Sequence, residues 1–593
     1  MIRSVYHLLQ ETANVHKDQV AAQFYQKNGW AKMTWGELEK QVHAVASGLV
    51  ALGVKPQDRV AVLAKTKIEW VIVDLAILAA GGITVPIYHS SALDDIVFIL
   101  NDSGSKYLFV DDEDALLKCR EARLQTPLLE KIICINPVTL RQEGNEIAWR
   151  EIFDESMKHY QTLMERVESM NAEDLATLVY TSGTTGEPKG AMLTHDNLLY
   201  EARAIEKFGI VTSADTQLLF LPLAHVFAKV LQIAWLKTAH TMVFAQSIEK
   251  IIDNMKEVRP TIMGSVPRIY EKVYAKVVAD IESTSGVKGL IGRWALKQGE
   301  TAARKQKLNR VPGGFKWTLA QNLVFAKIGE KLHALFGGRL RFFISGGAPL
   351  SPDIAYFFKH AGVTILEGYG LTETSAATCV NLPSHNRIGT VGKPVPGTEL
   401  QIAPDGEVLI RGRGVFKGYW NRPDDTKACL TPDGWFRTGD IGVLDQAGFL
   451  RITDRKKEII VNSGGKKIAP QKVENLIKSK VPLIGHVVVY GEGRPYLVAL
   501  IVLDENNLKD WAKKRRIKKD YVQLVAHPML KRTIEKEIKD VNASLASFEQ
   551  IKKFTILDHD FVIGQQLTPT LKVKRNVCYE QYKDILEALY SKK

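Results

Sequence analysis

"LVYTSGTTGEPKGAMLTH" spans Leu178–His195. Its middle, Thr181–Gly190, packs four hydroxyls, three glycines, one proline and one lysine into ten residues. An apolar, strand-like run precedes it, and a helix-like run is expected to follow. Glycines let backbone N–H groups converge on phosphate oxygens, hydroxyls add donors, and a lysine adds a compact positive charge. A helix opening just after the loop would favour an anion at its N-terminus. The segment therefore suits a polyphosphate. It is not a Walker A loop, which needs Gly-Lys-Ser/Thr after a four-residue spacer; here Pro188 precedes Lys189 and Gly190 follows it.

Outward from this loop, strands alternate with helices. "MTWGELEKQVHAVASGLVALGV" places Glu37 three residues after Thr34, a capping-box pattern. Leu38, Val42, Val45, Ala46 and Leu49 then recur at helical spacing, and Gly53 closes the segment. "RVAVLA", "ITVPIY", "KYLFVDD", "LATLVYTSG", "QLLFLPL", "TMVFA", "PTIMGSVP" and "LRFFISGG" read as buried strands. The pattern predicts an α/β fold with largely parallel pairing. From about residue 398, short strands joined by Asp-Gly and Ala-Gly turns predict antiparallel hairpins or a small barrel over 398–454. A basic α+β region follows. The expected division is 1–454 and 455–593.

The chain has 593 residues, a formal net charge of +13 and five cysteines without a CxxC pair. The charge points either to an anionic partner or to a solvated basic surface, and the cysteine pattern fits a reducing cytoplasm. No zinc-finger spacing, RNP-like motif or heptad repeat points to nucleic acid. The N-terminus meets polar residues too soon for a signal peptide. The most apolar window, from Trp70, contains Asp74, a Gly pair and Pro86. It reads as a buried helix and strand. Between Gly286 and Lys316, eight Lys or Arg face one Glu, interleaved with apolar residues. That stretch is either a solvated helical insert or a face for an anionic membrane surface. "KKRRIKK", Lys513–Lys519, reads as a solvated charge run.

"YTSGTTGEPKG" resembles the phosphate loop of the adenylate-forming superfamily. In family order follow "LPLAHVF" from Leu221, "SVPRIYEK" from Ser265, "ISGGAPL" from Ile344, "EGYGLTET" from Glu367, "GWFRTGD" from Gly434, "DRKKEIIVNSGGKKIAPQKVE" from Asp454 and "LTPTLKVKR" from Leu567. Glu367, the insert at 286–335 and the final motif resemble the long-chain fatty acid–CoA ligases. The resemblance implies a large N-terminal domain, built of two α/β subdomains and a barrel-like part, and a mobile C-terminal domain. It implies fatty acid, ATP, Mg²⁺ and CoA as the species handled. The alternatives are an acyl-AMP ligase loading a carrier protein and an inactive nucleotide- or lipid-binding relative. A cytoplasmic protein, peripheral on the inner membrane face, and a homodimer are further expectations.

Residue by residue, the resemblance places Thr181, Ser182, Gly183, Thr184, Thr185, Gly186 and Lys189 around the phosphates. Thr181 and Glu373 would ligate Mg²⁺, a hard cation that prefers oxygen. Gly347, Ala348, Glu367, Gly368 and Tyr369 would frame the adenine, and Thr372 would reach the α-phosphate. Asp440 and Arg455 would hold the ribose. His225, Val226, Phe227, Gly264, Val266 and Pro267 would line the acyl group. His225 is not needed as a base, because a fatty acid is already ionised at pH 7. Lys572 would bridge carboxylate and α-phosphate, cancelling their repulsion; Lys574 and Arg575 are neighbouring alternatives. Lys457 would be the hinge. Gly465, or Gly464 beside it, would line the pantetheine path.

Overall fold

The computed structural model describes residues 2–27, 29–136, 140, 145–181, 187–568 and 572–591, with the backbone alone at 154–157. The capping box forms as read. Glu37 N–H donates to Thr34 Oγ1 at 3.2 Å, and Thr34 N–H donates to Glu37 Oε2 at 2.8 Å. This starts the helix Trp35–Ala51, whose Leu38, Val42, Val45, Ala46 and Leu49 are all fully buried. The window from Trp70 resolves into the helix Ile68–Ala79 and the strand Ile83–Ile87. Asp74 lies buried on that helix and pairs with Lys229, while Gln232 Nε2 donates to the same carboxylate oxygen at 2.8 Å. A buried charge of this kind is tolerable only when paired and hydrogen-bonded.

Two large sheets carry the N-terminal part. A seven-stranded sheet runs in the order Glu146–Ala148, Lys131–Cys134, Tyr107–Val110, Arg59–Leu63, Ile83–Ile87, Leu175–Thr181, Lys189–Thr194. All its pairings are parallel except the last. Here the structure corrects the expectation of a helix after the loop. Lys189–Thr194 is a strand, antiparallel to Leu175–Thr181, and the helix begins only at His195. Thr194 and Asn197 cap that helix reciprocally, which explains why it starts there. The loop read as phosphate-binding thus joins two antiparallel strands. Its residues Ser182, Gly183, Thr184, Thr185 and Gly186 lie outside the described residues.

The second sheet has nine strands. Its centre is Ile365–Tyr369, Phe342–Ser345, Ile262–Ser265, Thr216–Leu219 and Thr241–Phe244, in that spatial order and all parallel. Parallel strands buried on both faces present their carboxyl ends to one crevice, where open α/β sheets bind ligands. The stretch read as barrel-like is a four-stranded antiparallel meander, Glu399–Ile402, Glu407–Arg411, Phe436–Leu444 and Leu450–Arg455. Among the described residues its first and last strands do not pair, so it is open rather than closed.

Beyond Arg455 a turn at residues 456–458 leads to a two-stranded hairpin, Ile460–Val461 with Lys467–Ile468. A three-stranded sheet of Ile484–Tyr490, Leu497–Leu503 and Ile551–Ile556 follows, with its own apolar clusters on both faces. No described helix is long and apolar enough to cross a membrane.

Candidate active site

Four of the five central parallel strands of the nine-stranded sheet deliver a motif at their carboxyl ends. Ser265 is followed by Val266 and Pro267, Ser345 by Gly346–Ala348, and Ile365–Tyr369 runs into Thr372 and Glu373. His225 follows Thr216–Leu219 and caps the helix Val226–Thr238. These loops meet. A Cβ on Gly346 would stand 3.2 Å from the Phe227 ring, and one on Gly347 would stand 3.9 Å from Val266. Val226 and Pro267 are buried, and Gly264 packs so closely on Leu231 that a Cβ there would fall 2.4 Å from its Cδ1.

The "EGYGLTET" segment is a tight, strained turn. A Cβ on Gly370 would fall 1.2 Å from the Ala376 carbonyl oxygen, so no other residue fits. Ser375 and Ala376 both sit at positive φ, at 58° and 94°. Non-glycine residues held there cost about 1–3 kcal/mol each, a strain found mostly where geometry serves function. Thr372 and Glu373 form the short 3₁₀ turn just before them. Glu367 turns to the protein itself: its Oε1 accepts the Gly389 N–H at 3.4 Å, and burial pushes its carboxyl up to about 7.

Asp440 is buried at the cross-strand pair with Arg455. Its Oδ2 accepts the Tyr369 hydroxyl at 2.6 Å, and its Oδ1 lies 3.1 Å from Arg455 Nε. Burial raises this carboxyl while Arg455 opposes the rise. Asp440 thus holds Tyr369 by a hydrogen bond and Arg455 by an ion pair.

Lys572, from the C-terminal region, lies within electrostatic range of Arg455 and Asp440. Its N–H donates to Thr568 Oγ1 at 3.0 Å, Thr568 N–H donates to its carbonyl at 2.8 Å, and Leu567 bridges to Val573. Lys572 is thus tied to Thr568; residues 569–571 lie outside the described residues. The side chain is open to solvent along the cleft, yet protein atoms crowd around it. That crowding, reinforced by Arg455, lowers its ammonium to about 8, while Asp440, Glu458 and Glu373 pull the other way. The neighbours are engaged elsewhere. Lys574 Nζ donates to Gly564 O at 3.1 Å, and Arg575 grips Glu474 through both Nη atoms at 2.6 and 2.9 Å.

His225 feels Lys572 as well. Burial first, and the lysine second, push its imidazole down to about 3. It is neutral at physiological pH. Its Nδ1 accepts the Phe227 N–H at 3.1 Å, so the proton resides on Nε2.

The loop's flanks are held by a segment that sequence reasoning did not single out. Lys189 pairs with Asp425 and lies 5.4 Å from the Tyr419 ring centroid. Arg422 Nη2 donates to Glu187 Oε2 at 2.8 Å. The Tyr419 hydroxyl donates to Glu373 Oε1 at 2.7 Å. Nothing in sequence spacing signals these contacts, which join residues 46 to 236 positions apart. Thr181 Oγ1 donates to Lys189 O at 3.4 Å. Lys457 is exposed in the turn after Arg455. Gly465 is exposed in the hairpin turn at φ 71°, and a Cβ there would meet nothing within 4 Å.

Residues 9–420 match the family described as AMP-binding enzyme, and residues 457–593 match the AMP-binding enzyme C-terminal domain. The chain belongs to the AMP-binding enzyme family. It is 38% identical over 576 residues to the long-chain-fatty-acid–CoA ligase FadD15 of Mycobacterium tuberculosis, covering 95% of this chain and 93% of that protein. It is 31% identical over 621 residues to the long-chain-fatty-acid–CoA ligase ACSBG2 of Xenopus laevis, covering 99% and 84%. The anthranilate CoA ligase AuaEII, solved in complex with anthranoyl-AMP, superposes with a TM-score of 0.72 at 21% identity, covering 99% of this chain and 98% of that one. That likeness concerns the fold.

The lowered ammonium of Lys572 sets a pH limit. Its charge is complete below its pKa and is lost as pH rises through about 8. We expect kcat/KM for acid-dependent ATP–pyrophosphate exchange to fall above pH 8, approaching about tenfold per unit. No inflection should appear near pH 6.5, since His225 is already neutral there. A rate that stays flat to pH 9.5 would contradict the assignment.

Proposed function

We propose that this protein is a long-chain fatty acid–CoA ligase that works through an acyl-adenylate. The observation that supports the reading is that Lys572 lies within electrostatic range of Arg455, Asp440 and Glu373, beside the Tyr369–Asp440 hydrogen bond and the Asp440–Arg455 ion pair. A carboxylate and an α-phosphate repel each other as they approach. An ammonium between them removes that repulsion where the new bond forms. The long-chain class rests on the names of the curated relatives.

In the first half-reaction a carboxylate oxygen attacks the α-phosphorus of ATP and pyrophosphate leaves. Asp440 accepts from the ribose hydroxyls, and the loop at residues 181–189 holds the departing phosphates. Thr372 donates to the α-phosphate, and His225 offers Nε2–H near the acyl carboxylate. Among the described residues no three His, Cys, Asp or Glu cluster as a metal site. Magnesium arriving with a nucleotide needs only one or two protein oxygens, because phosphates and water fill the rest. The Thr181 hydroxyl and the Glu373 carboxylate fit that need. Bound there, the ion would neutralise triphosphate charge.

In the second half-reaction the CoA thiol attacks the acyl carbon, and AMP leaves with the bonding pair. CoA would replace pyrophosphate as the second ligand, so the part of the chain beyond Lys457 turns about that residue. The turn withdraws Lys572 and brings Gly465 to the acyl-adenylate. Each buried methylene of the chain contributes about 0.8 kcal/mol, so the length of the apolar tunnel sets the substrate range.

A peripheral membrane contact belongs to the same reading. The helix Gly286–Lys307 exposes Val287 (72%), Leu290 (62%) and Ile291 beside Lys288, and Phe315 (81%) lies next to Lys316. Exposed apolar side chains among lysines suit an anionic lipid surface, where the substrate is dissolved. Leu290→Ser with Phe315→Ser should abolish co-sedimentation with phosphatidylglycerol vesicles while leaving turnover of detergent-free soluble acid unchanged. Equal sedimentation of the variant would remove this contact.

The direct test of function supplies MgATP and a panel of acids, with and without CoA, and measures pyrophosphate and AMP. Lys572→Ala should abolish adenylate formation yet largely spare thioester formation from added acyl-AMP. Loss of both halves alike would refute the role of Lys572 and the domain turn.

A further inference from the structure

The two groups that would grip a metal–triphosphate, Glu373 and Lys189, come from separate sheets. One side chain touches both. Tyr419 lies in a strip that runs along the exposed edge of the strand Lys189–Thr194. Met192 N–H donates to Gly418 O at 2.9 Å, Lys417 N–H to Met192 O at 3.0 Å and Trp420 N–H to Gly190 O at 2.8 Å. Ala191 and Tyr419 form an antiparallel bridge. This register leaves the tyrosine little freedom. Its own N–H donates to Thr426 Oγ1 at 2.9 Å, and its ring packs edge-on against Phe416 with centroids 4.9 Å apart.

From that fixed seat the hydroxyl donates to Glu373 Oε1 at 2.7 Å, and the ring lies 5.4 Å from the Lys189 ammonium. The Glu373 carboxylate is thereby oriented. Oε1 is committed to the hydroxyl, and Oε2 is the oxygen left to a cation. Burial and the facing Glu373 carboxylate raise the phenol above its ordinary range, so it stays a donor. A partner that aims a metal-binding carboxylate typically accounts for 10–100-fold in metal affinity.

We propose that Tyr419 is a positioning residue that aims Glu373 at nucleotide-bound magnesium. The proposal rests on the reading of Glu373 as a magnesium ligand. Tyr419→Phe keeps the ring beside Lys189 and removes only the hydroxyl, so it separates the two contacts.

The experiment is calorimetric titration of the full-length protein with α,β-methylene ATP, in magnesium and in EDTA. The wild type should bind more tightly in magnesium. Tyr419→Phe should shrink that gain by roughly tenfold or more while changing affinity in EDTA less than about twofold. Glu373→Gln is the control for the underlying reading and should lose the gain as well. If Glu373→Gln loses the gain and Tyr419→Phe keeps it, the positioning role is overturned and the magnesium site stands. If Tyr419→Phe weakens binding equally in both buffers, the tyrosine is only structural and the proposal fails. If the wild type shows no gain, or Glu373→Gln retains it, the magnesium reading fails and takes the proposal with it.

Discussion

A lysine ammonium in a crowded cleft is costly unless anions compensate it. Lys572 is held in such a place, pressed by Arg455 and drawn by Asp440, Glu458 and Glu373. Its position depends on elements from both ends of the chain. Arg575, three residues on, is almost fully buried and grips Glu474 bidentately, with Glu458 at 3.6 Å. That pair locks the Lys572 turn to the body of the C-terminal region. Arg268 then ties this body to the N-terminal part through Asp504 at 2.9 Å. The Lys572 backbone is tied to the C-terminal body through Thr568 and Arg575. A side chain so tied can be withdrawn with that body, which is what two successive reactions at one cleft require.

The large sheets supply the fixed half of the site. Parallel strands end together, so motifs separated by more than a hundred residues converge at one edge. The strain at Ser375 and Ala376 is the backbone cost of holding Thr372 and Glu373 at that edge. Tyr369 links the loop after Ile365–Tyr369 to Asp440, and Tyr419 links Glu373 to the strand Lys189–Thr194. Two tyrosine hydroxyls therefore orient Asp440 and Glu373.

Much of the fold was legible because its signals are local. The Thr34–Glu37 box and the Leu38–Leu49 stripe state a helix and its buried face within one segment. The hairpin at the phosphate loop was harder. Met192 and Leu193 suit a helix as well as a strand, and only pairing with Leu175–Thr181 decides between them. The Thr194–Asn197 cap was present in the sequence and marks the true helix start. Closure of the 398–454 meander depends on whether its outer strands meet, which strand patterning does not encode. The roles of Tyr419, Arg422 and Asp425 were hidden for the same reason: their partners are distant in sequence, and their own surroundings look like an ordinary strand end and a short helix.

The central claim is that adenylate formation needs the arrangement seen here and thioester formation needs another. A Cβ at Gly564, which sits at φ 90°, would stand 3.4 Å from the Cβ of Ala92, across the two parts of the chain; a cysteine there bears backbone strain, so the reduced variant is the reference for the oxidised one. The protein's own five cysteines are free, and four of them are buried. The decisive measurement is the activity of the Ala92→Cys, Gly564→Cys protein before and after oxidation. The account predicts that the oxidised form retains ATP–pyrophosphate exchange, stops making acyl-CoA, and regains it on reduction. Oxidised protein that forms acyl-CoA as fast as the reduced form would contradict it.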